Sequence, residues 1–339
     1  MTTVRQIAKL ANVSICTVSK ALRDDPRISA ATRERVQAIA QSLYYRPNRL
    51  ATGLYTGTTS LIGMILPELN TWYGVQILRV LTQECYSAGW NMLVFEHLWH
   101  PSLLDELIVQ QVERRVQGII LIPGVLPFPK RYLAELGARR IIPVGIDLEQ
   151  QEHAVDQVRI DEEALAHLAI EYLLHLGHRR IGFVSIEKSK RTGRDLAIRR
   201  ELARRGLADS RYQFHHSGTQ LPDVRRAYSD LLGRSPRPTA VIAWSFEMAL
   251  SFMQVAAELG ISVPQDMSVF SCDNEAYADK TTPPLTCLDV HPEEVGRQAF
   301  HLILRRLKAY ADTPETTPLT PEIISVKPTL IKRASCLRI

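Results

Sequence analysis

The chain has 339 residues, 45% hydrophobic and 23% charged, which is ordinary for a water-soluble protein of two or three domains. No apolar run is long enough to span a membrane, and the start MTTVRQIAKLA has no apolar signal segment, so a cytoplasmic location without membrane contact is expected. The five cysteines (Cys16, Cys85, Cys272, Cys287, Cys336) are scattered without a CxxC spacing and read as reduced thiols, with no metal site or cofactor expected.

Charge is unevenly placed. Residues 1–57 hold nine basic residues (Arg5, Lys9, Lys20, Arg23, Arg27, Arg33, Arg35, Arg46, Arg49) against Asp24, Asp25 and Glu34, a balance of +6 in a chain of net +5. A basic end on a near-neutral body is the footprint of a nucleic-acid-binding domain.

The stretch TVRQIAKLANVSICTVSKAL, Thr3 to Leu22, predicts two short helices and a tight turn. Thr3 and Gln6 fit a capping box. Asn12 tolerates the left-handed turn conformation, and Ser14 is placed to cap the second helix. Val18 and Leu22 point inward there. Cys16, Ser19, Lys20 and Arg23 lie on the opposite face, with Ile15 at its edge. From Ser29 a third helix places Val36, Ile39, Ala40 and Leu43 at helical spacing. A helical cap on a larger protein would show the same pattern. The charge favours a helix-turn-helix whose second helix enters a DNA major groove. Asn48 can then cap a short stretch, RLATGLY, in which Gly53 costs about 1 kcal/mol of helix propensity. Such a helix is marginal alone.

From Ser60 the texture alternates. Strands are predicted at Leu61–Leu66, Met92–Phe95, Gly118–Ile122 and Ile141–Ile146, with helices between them at about Tyr73–Ala88, Ser102–Arg115 and Lys130–Leu136. A second set starts near Val158: helix Glu162–Leu176, strand Ile181–Val184, helices Asp195–Arg205 and Asp223–Leu232, strand Ala240–Ala243, helix Phe246–Leu259 and strand Ser268–Ser271. Helix Glu293–Tyr310 follows, then β-like Ile323–Val326 and Leu330–Lys332. The expected fold is multidomain: an all-α helix-turn-helix headpiece plus an α/β core of two doubly wound parallel-sheet subdomains. Ligands of such sheets bind outside the strands' carboxyl ends, between the halves. That places Pro67 to Tyr73, Asp147, Ser185 to Arg194, Ser245-Phe246 and Asp273-Asn274 in a cleft. Asp147 and Asp273 each end an apolar strand, as carboxylates suited to hydroxyls or a cation.

The order of elements resembles the LacI/GalR-type bacterial transcription regulators nearly end to end. VRQIAKLANVSICTVSKAL matches the family's helix-turn-helix, and ISAATRERVQAIAQSLYYRPNRLATGL its third helix and hinge. LGHRRIGFV, EMAL, ELGISVPQDMSVFSCDN, PPLTCLDV and VKPTLIKRAS match blocks of the body and tail. The resemblance implies a periplasmic-binding-protein-like core and divides the chain into a DNA-binding domain (1–46), a hinge (47–58), an N-terminal core subdomain (59–159 and 289–316) and a C-terminal one (160–288 and 317–339). It implies a homodimeric repressor on a near-palindromic operator, controlled by a small molecule that is a sugar or sugar derivative. Ile15, Cys16 and Lys20 occupy base-reading positions, and Ser14, Thr17 and Ser19 phosphate-contacting ones. Leu54 matches a hinge leucine wedged into the minor groove. Thr3, Arg23, Ser29, Asn48 and Arg49 complete the expected DNA contacts. For the effector, Asp147, Arg194 and Asp273 match polar contacts, with Arg191 a competitor for Arg194, while Trp72 and Tyr73 match an aromatic wall and Pro67 lies beside them.

Two departures stand out. The family's Asn-Asp before EMAL is Ser245-Phe246 here, and its Gly-aromatic-Asp-Asp is Ser271-Cys272-Asp273-Asn274. Losing an amide and a carboxylate points to a less usual or modified sugar, with Phe246 adding an apolar surface. The alternative is a receptor-like protein with a vestigial or non-sugar site. No GxSxG, GxGxxG after the first strand, P-loop or HExxH supports an enzyme.

Overall fold

The computed structural model describes residues 3–45, 59–69, 71–122, 124, 126, 129–148, 154–186, 193–207, 214–217, 221–233, 235–312 and 320–339. The chain divides into two compact units, residues 1–59 and 60–339.

The first unit holds three helices, α1 (Val4–Ala11), α2 (Ile15–Ala21) and α3 (Ala30–Ser42). Their inward faces meet in a small core of Ile7, Ala8, Ala11, Val18, Ala21, Val36 and Ala40. Leu22, Ile39 and Leu43 are half-buried against it, as their helical spacing predicts.

The second unit runs β1 (Leu61–Leu66), α4 (Trp72–Ser87), β2 (Asn91–Glu96), α5 (Pro101–Glu113), β3 (Gly118–Leu121), α6 (Leu133–Ala138), β4 (Ile142–Ile146) and β5 (Asp156–Ile160). It continues with α7 (Glu162–His175), β6 (Ile181–Ile186), α8 (Gly193–Arg204), β7 (Phe214–Ser217), α9 (Leu221–Leu232), β8 (Ala240–Ala243), α10 (Phe246–Glu258) and β9 (Ser268–Ser271). It ends with β10 (Thr286–Asp289), α11 (Pro292–Asp312), β11 (Ile323–Val326) and β12 (Thr329–Ile331).

These strands form two sheets, in the orders β11-β5-β4-β3-β1-β2 and β12-β10-β9-β8-β6-β7. Pairing is parallel except that β12 runs antiparallel to β10. Strands such as LIGMIL and AVIA are apolar throughout because helices cover both faces of each sheet. Two close approaches demand glycine. A Cβ at Gly63 would fall 1.2 Å from Gln111 Oε1, and one at Gly118 would fall 2.7 Å from the Ile303 side chain of α11.

Three elements depart from the sequence expectation. The resemblance assigns all of 317–339 to the C-terminal subdomain, but β11 lies in the first sheet, parallel to β5, and only β12 joins the second. The cause is α11, which packs on α4, β4 and β5 and delivers the chain to the edge of the first sheet. The strands β7 and β10 were not foreseen. FHHS and TCLD are short and mix apolar with polar residues, so no apolar run marks them as GIIL and AVIA are marked. The hinge stretch 47–58, with Asn48, Arg49 and Leu54, lies outside the described residues, as does Arg191.

Candidate functional site

The headpiece is built by local hydrogen bonds. The Thr3 amide donates to Gln6 Oε1 (2.9 Å) and the Gln6 amide to Thr3 Oγ1 (3.4 Å), the reciprocal capping box expected from sequence. Asn12 turns the chain at φ 51°, ψ 48°. Ser14 Oγ accepts from the Thr17 amide at 3.0 Å and shares a hydrogen bond with Thr17 Oγ1 at 2.8 Å. Ser29 caps α3 in the same way through Thr32.

Capping fixes the rotation of α2. Val18 and Ala21 are buried, while Cys16 is exposed and Ile15 keeps 49% of its surface in solvent. An exposed isoleucine on a small three-helix unit is apolar surface not used by its own core. Lys20 is half-exposed. Arg23 folds back to donate to the Ser19 carbonyl (3.1 Å) and to Ser19 Oγ (3.0 Å). Ser14, Thr17, Ser19, Arg23 and Ser29 thus have intramolecular partners. The Arg27 guanidinium holds the Asp25 carboxyl well below the usual carboxylate range, and Asp24 Oδ1 accepts from Gln37 Nε2 at 2.7 Å.

In the second unit, strand ends bring a group of polar and aromatic side chains together. Asp147, just past β4, has φ 51°, an uncommon conformation for a non-glycine residue. Its Oδ2 accepts from the Tyr73 hydroxyl (2.5 Å) and its Oδ1 from the Ile160 amide (2.8 Å). Burial raises the Tyr73 pKa well above its usual value, and the Asp147 charge adds to this. Burial also raises the Asp147 carboxyl, against the opposing Tyr73 hydrogen bond.

Arg194, at the start of α8, is 6% exposed. Its Nε donates to Glu162 Oε2 (3.2 Å), and its Nη1 donates to the Trp244 carbonyl (2.7 Å) and to Asp273 Oδ1 (3.2 Å). The guanidinium carbon stands 5.2 Å from the Trp244 ring centroid. Burial works against the Arg194 charge, but Glu162 and Asp273 hold its pKa well above the normal value. Burial raises Asp273, with Arg194 opposing. Among the described residues, the buried indole Nε1 atoms of Trp72 and Trp244 have no hydrogen-bond partner.

Two family models match the chain: "Bacterial regulatory proteins, lacI family" over residues 3–48 and "Periplasmic binding protein-like domain" over residues 170–336. The HTH-type transcriptional repressor PurR of Vibrio atlanticus is 27% identical over 326 residues, spanning 96% of this chain and 97% of that one. The chain belongs to the LacI family of bacterial regulatory proteins. Among solved structures, the Lac repressor dimer bound to operator and the anti-inducer ONPF superposes with TM-score 0.84 at 23% identity, covering 99% of both chains. A CelR–cellobiose complex gives 0.70 at 23% identity, covering 99% of this chain and 100% of that one. These likenesses carry the fold, a helix-turn-helix headpiece with a periplasmic-binding-protein-like α/β core.

The protein is therefore a LacI-family DNA-binding transcriptional repressor with an effector-type domain, and its named relatives are repressors rather than enzymes. No described helix is long and apolar enough to cross a membrane.

Within this LacI-family core, Tyr73 with Asp147, and Arg194 with Asp273, are brought into contact. Pro67 and Trp72 stand half-buried just beyond the end of β1. Two expected cleft residues are committed elsewhere. Ser245 Oγ accepts from the Met248 amide (3.3 Å) as the N-cap of α10, and Phe246 is 3% exposed inside the core of the second sheet. Phe246 follows that cap immediately, so the first turn of α10 buries it against the sheet rather than offering it as a cleft wall.

Glu162 and Trp244 were missed. Glu162 reads as a first-turn acid of α7, which is a common helix-stabilising role, and only the fold brings Arg194 to it. Trp244 contributes chiefly its backbone carbonyl, for which sequence carries no signal.

Glu162 gives the core a pH signature. Burial pushes its carboxyl up to about 7 from an ordinary 4.5, with Arg194 opposing. The folded chain holds this proton more tightly than the unfolded chain. The stabilisation is complete below about 4.5 and is lost as pH rises through about 7. Asp147 and Asp273 shift in the same direction. Denaturation of the full chain should show stability falling between pH 5 and 7.5, by on the order of 2–3 kcal/mol from this group. Glu162→Gln should flatten the slope. A slope identical in that variant would remove Glu162 as its source.

Proposed function

We propose that this repressor binds a near-palindromic operator as a homodimer in the cytoplasm, and that a small molecule held at the strand ends of its two sheets controls operator affinity. The carrying observation is the pair of constellations Tyr73–Asp147 and Arg194–Asp273, at the carboxyl ends of strands in the two sheets. In doubly wound folds those ends are where ligands are held. The effector class is a sugar or sugar derivative. Carboxylates at 147 and 273 suit hydroxyl groups, and the similar CelR structure holds cellobiose. The core subdomains proposed are 59–159 with 289–316, and 160–288 with 317–339 less β11.

On the DNA side, Ile15, Cys16 and Lys20 of α2 face the bases. Thr3, Ser14, Thr17, Ser19, Arg23, Ser29, Asn48 and Arg49 meet the backbone, where Arg23 would exchange its bonds to Ser19 for a phosphate. Leu54 enters the minor groove at the operator centre, where partial unstacking costs a few kcal/mol that the two leucines must offset.

The test is operator affinity of the full chain by fluorescence anisotropy. Leu54→Ala should weaken operator binding at least tenfold and leave the melting temperature of the core unchanged. Asp273→Ala should leave operator affinity intact and abolish its response to ligand. Full operator affinity in the Leu54→Ala chain would contradict the minor-groove assignment.

A further inference from the structure

We propose that α2 selects a thymine and a guanine in each operator half-site, Ile15 closing on the thymine methyl group and Lys20 donating to the guanine; this rests on the DNA reading above and names the base edges it selects. The helix is ICTVSKA, without a carboxylate or an amide side chain. Ile15 keeps 49% of its surface in solvent and takes no part in the headpiece core, Cys16 is exposed, and Lys20 is half-exposed. An aliphatic group, a thiol and an ammonium are what this face brings to the bases.

The hydroxyls on and beside the face already accept hydrogen bonds. Ser14 Oγ accepts from the Thr17 amide and shares a hydrogen bond with Thr17 Oγ1. Ser19 Oγ accepts from Arg23 Nη2 at 3.0 Å. The two acids that follow α2 are engaged as well, Asp24 by Gln37 and Asp25 by Arg27. Gln6 is used in the capping box of α1, and Asn12 stands in the turn, outside the helix. The outward face of α2 therefore offers donors and apolar surface, and no carboxylate or amide oxygen for the exocyclic amine of a base.

In the major groove, adenine N6 and cytosine N4 are donors, guanine N7 and O6 are acceptors, and thymine shows an acceptor and a methyl group. A base amine opposite Lys20 would set donor against donor, whereas guanine gives the ammonium two acceptors. The thymine methyl is the apolar group of the groove, and it suits a branched side chain that its own core leaves exposed. The Cys16 thiol extends that surface as a small, soft neighbour. Ile15 and Lys20 are five residues apart, a rise of about 7.5 Å along the helix. Base pairs rise about 3.4 Å each, so the two contacted bases lie within about three base pairs of each other.

The test uses the full chain and the duplex it enriches from random DNA, with affinity read by fluorescence anisotropy. Each thymine of the half-site is replaced in turn, in both halves, by deoxyuridine, which removes the methyl and keeps O4. At one position the replacement should weaken binding about fourfold per half-site, roughly fifteenfold for the symmetric site, as expected for one buried methyl in each half. Ile15→Val should keep that sensitivity and Ile15→Ala should abolish it, both with the helical signal of the headpiece intact. Replacing a guanine within about three base pairs by 7-deazaguanine, which removes the N7 acceptor, should weaken the unaltered chain and leave Lys20→Ala unmoved. If no thymine responds to deoxyuridine, or Ile15→Ala responds equally, the methyl contact is wrong and the DNA reading stands. If no guanine shows a loss that depends on Lys20, the guanine contact is wrong. If the full chain enriches no site, the DNA reading itself is wrong.

Discussion

Arg194→Ala is expected to destabilise the core by about 3–5 kcal/mol, the cost of removing one partner of a buried ion network. Glu162 and Asp273 would be left facing each other without the guanidinium that opposes their burial, and the Trp244 carbonyl would lose its donor. Urea denaturation of the full chain checks this. Because the loss comes from stranded carboxylates, adding Glu162→Gln and Asp273→Asn to Arg194→Ala should restore part of it, and acidification should restore part as well. A loss under 1 kcal/mol would mean that the three groups are solvated and that the network is not a buried unit. The headpiece forms a separate compact unit with its own core, so its helical signal should survive.

Lys20→Ala is expected to weaken operator binding by about 1–3 kcal/mol, roughly five- to 150-fold, and to relax base preference at one position in each half-site. Lys20 stands half-exposed on α2 among Cys16 and Ile15, and none of its reach is consumed by a carboxylate at salt-bridge distance among the described residues. A cation so placed can donate to guanine N7 and O6. Arg23, bonded to Ser19, should contribute a smaller, sequence-independent share that weakens with salt. Equal losses on cognate and random duplexes would place Lys20 on phosphate instead.

The headpiece was legible residue by residue because its determinants are local. Thr3, Gln6 and Ser14 each act on atoms within four residues and make the capping bonds their chemistry suggests, and Asn12 takes the left-handed turn conformation. The alternation of strands and helices was legible for a similar reason, since parallel central strands are continuous apolar runs. What stayed hidden depends on distance in sequence. Ile323–Val326 joins the first sheet through β5, more than 160 residues away, and nothing in IISV says which edge it will find.

The cleft was half legible. Asp147 and Asp273 are marked by the strands that end in them. Glu162 carries the look of an ordinary helix-start acid, and its pairing with Arg194 spans 32 residues. Phe246 misled because a hydrophobic residue after a strand end suits either a cleft wall or a first helical turn. The Ser245 cap decided for the turn.

Whether α2 reads a specific operator through its outward face is decided by selection from random duplex DNA with the full chain, run beside a chain carrying Ile15→Ala and Lys20→Ala. The unaltered chain should strongly enrich one near-palindromic site, and that site should be lost or changed in the double variant, which should keep its fold and its weak, salt-sensitive affinity for random DNA. Enrichment of the same site to the same extent by both chains would contradict base reading by α2.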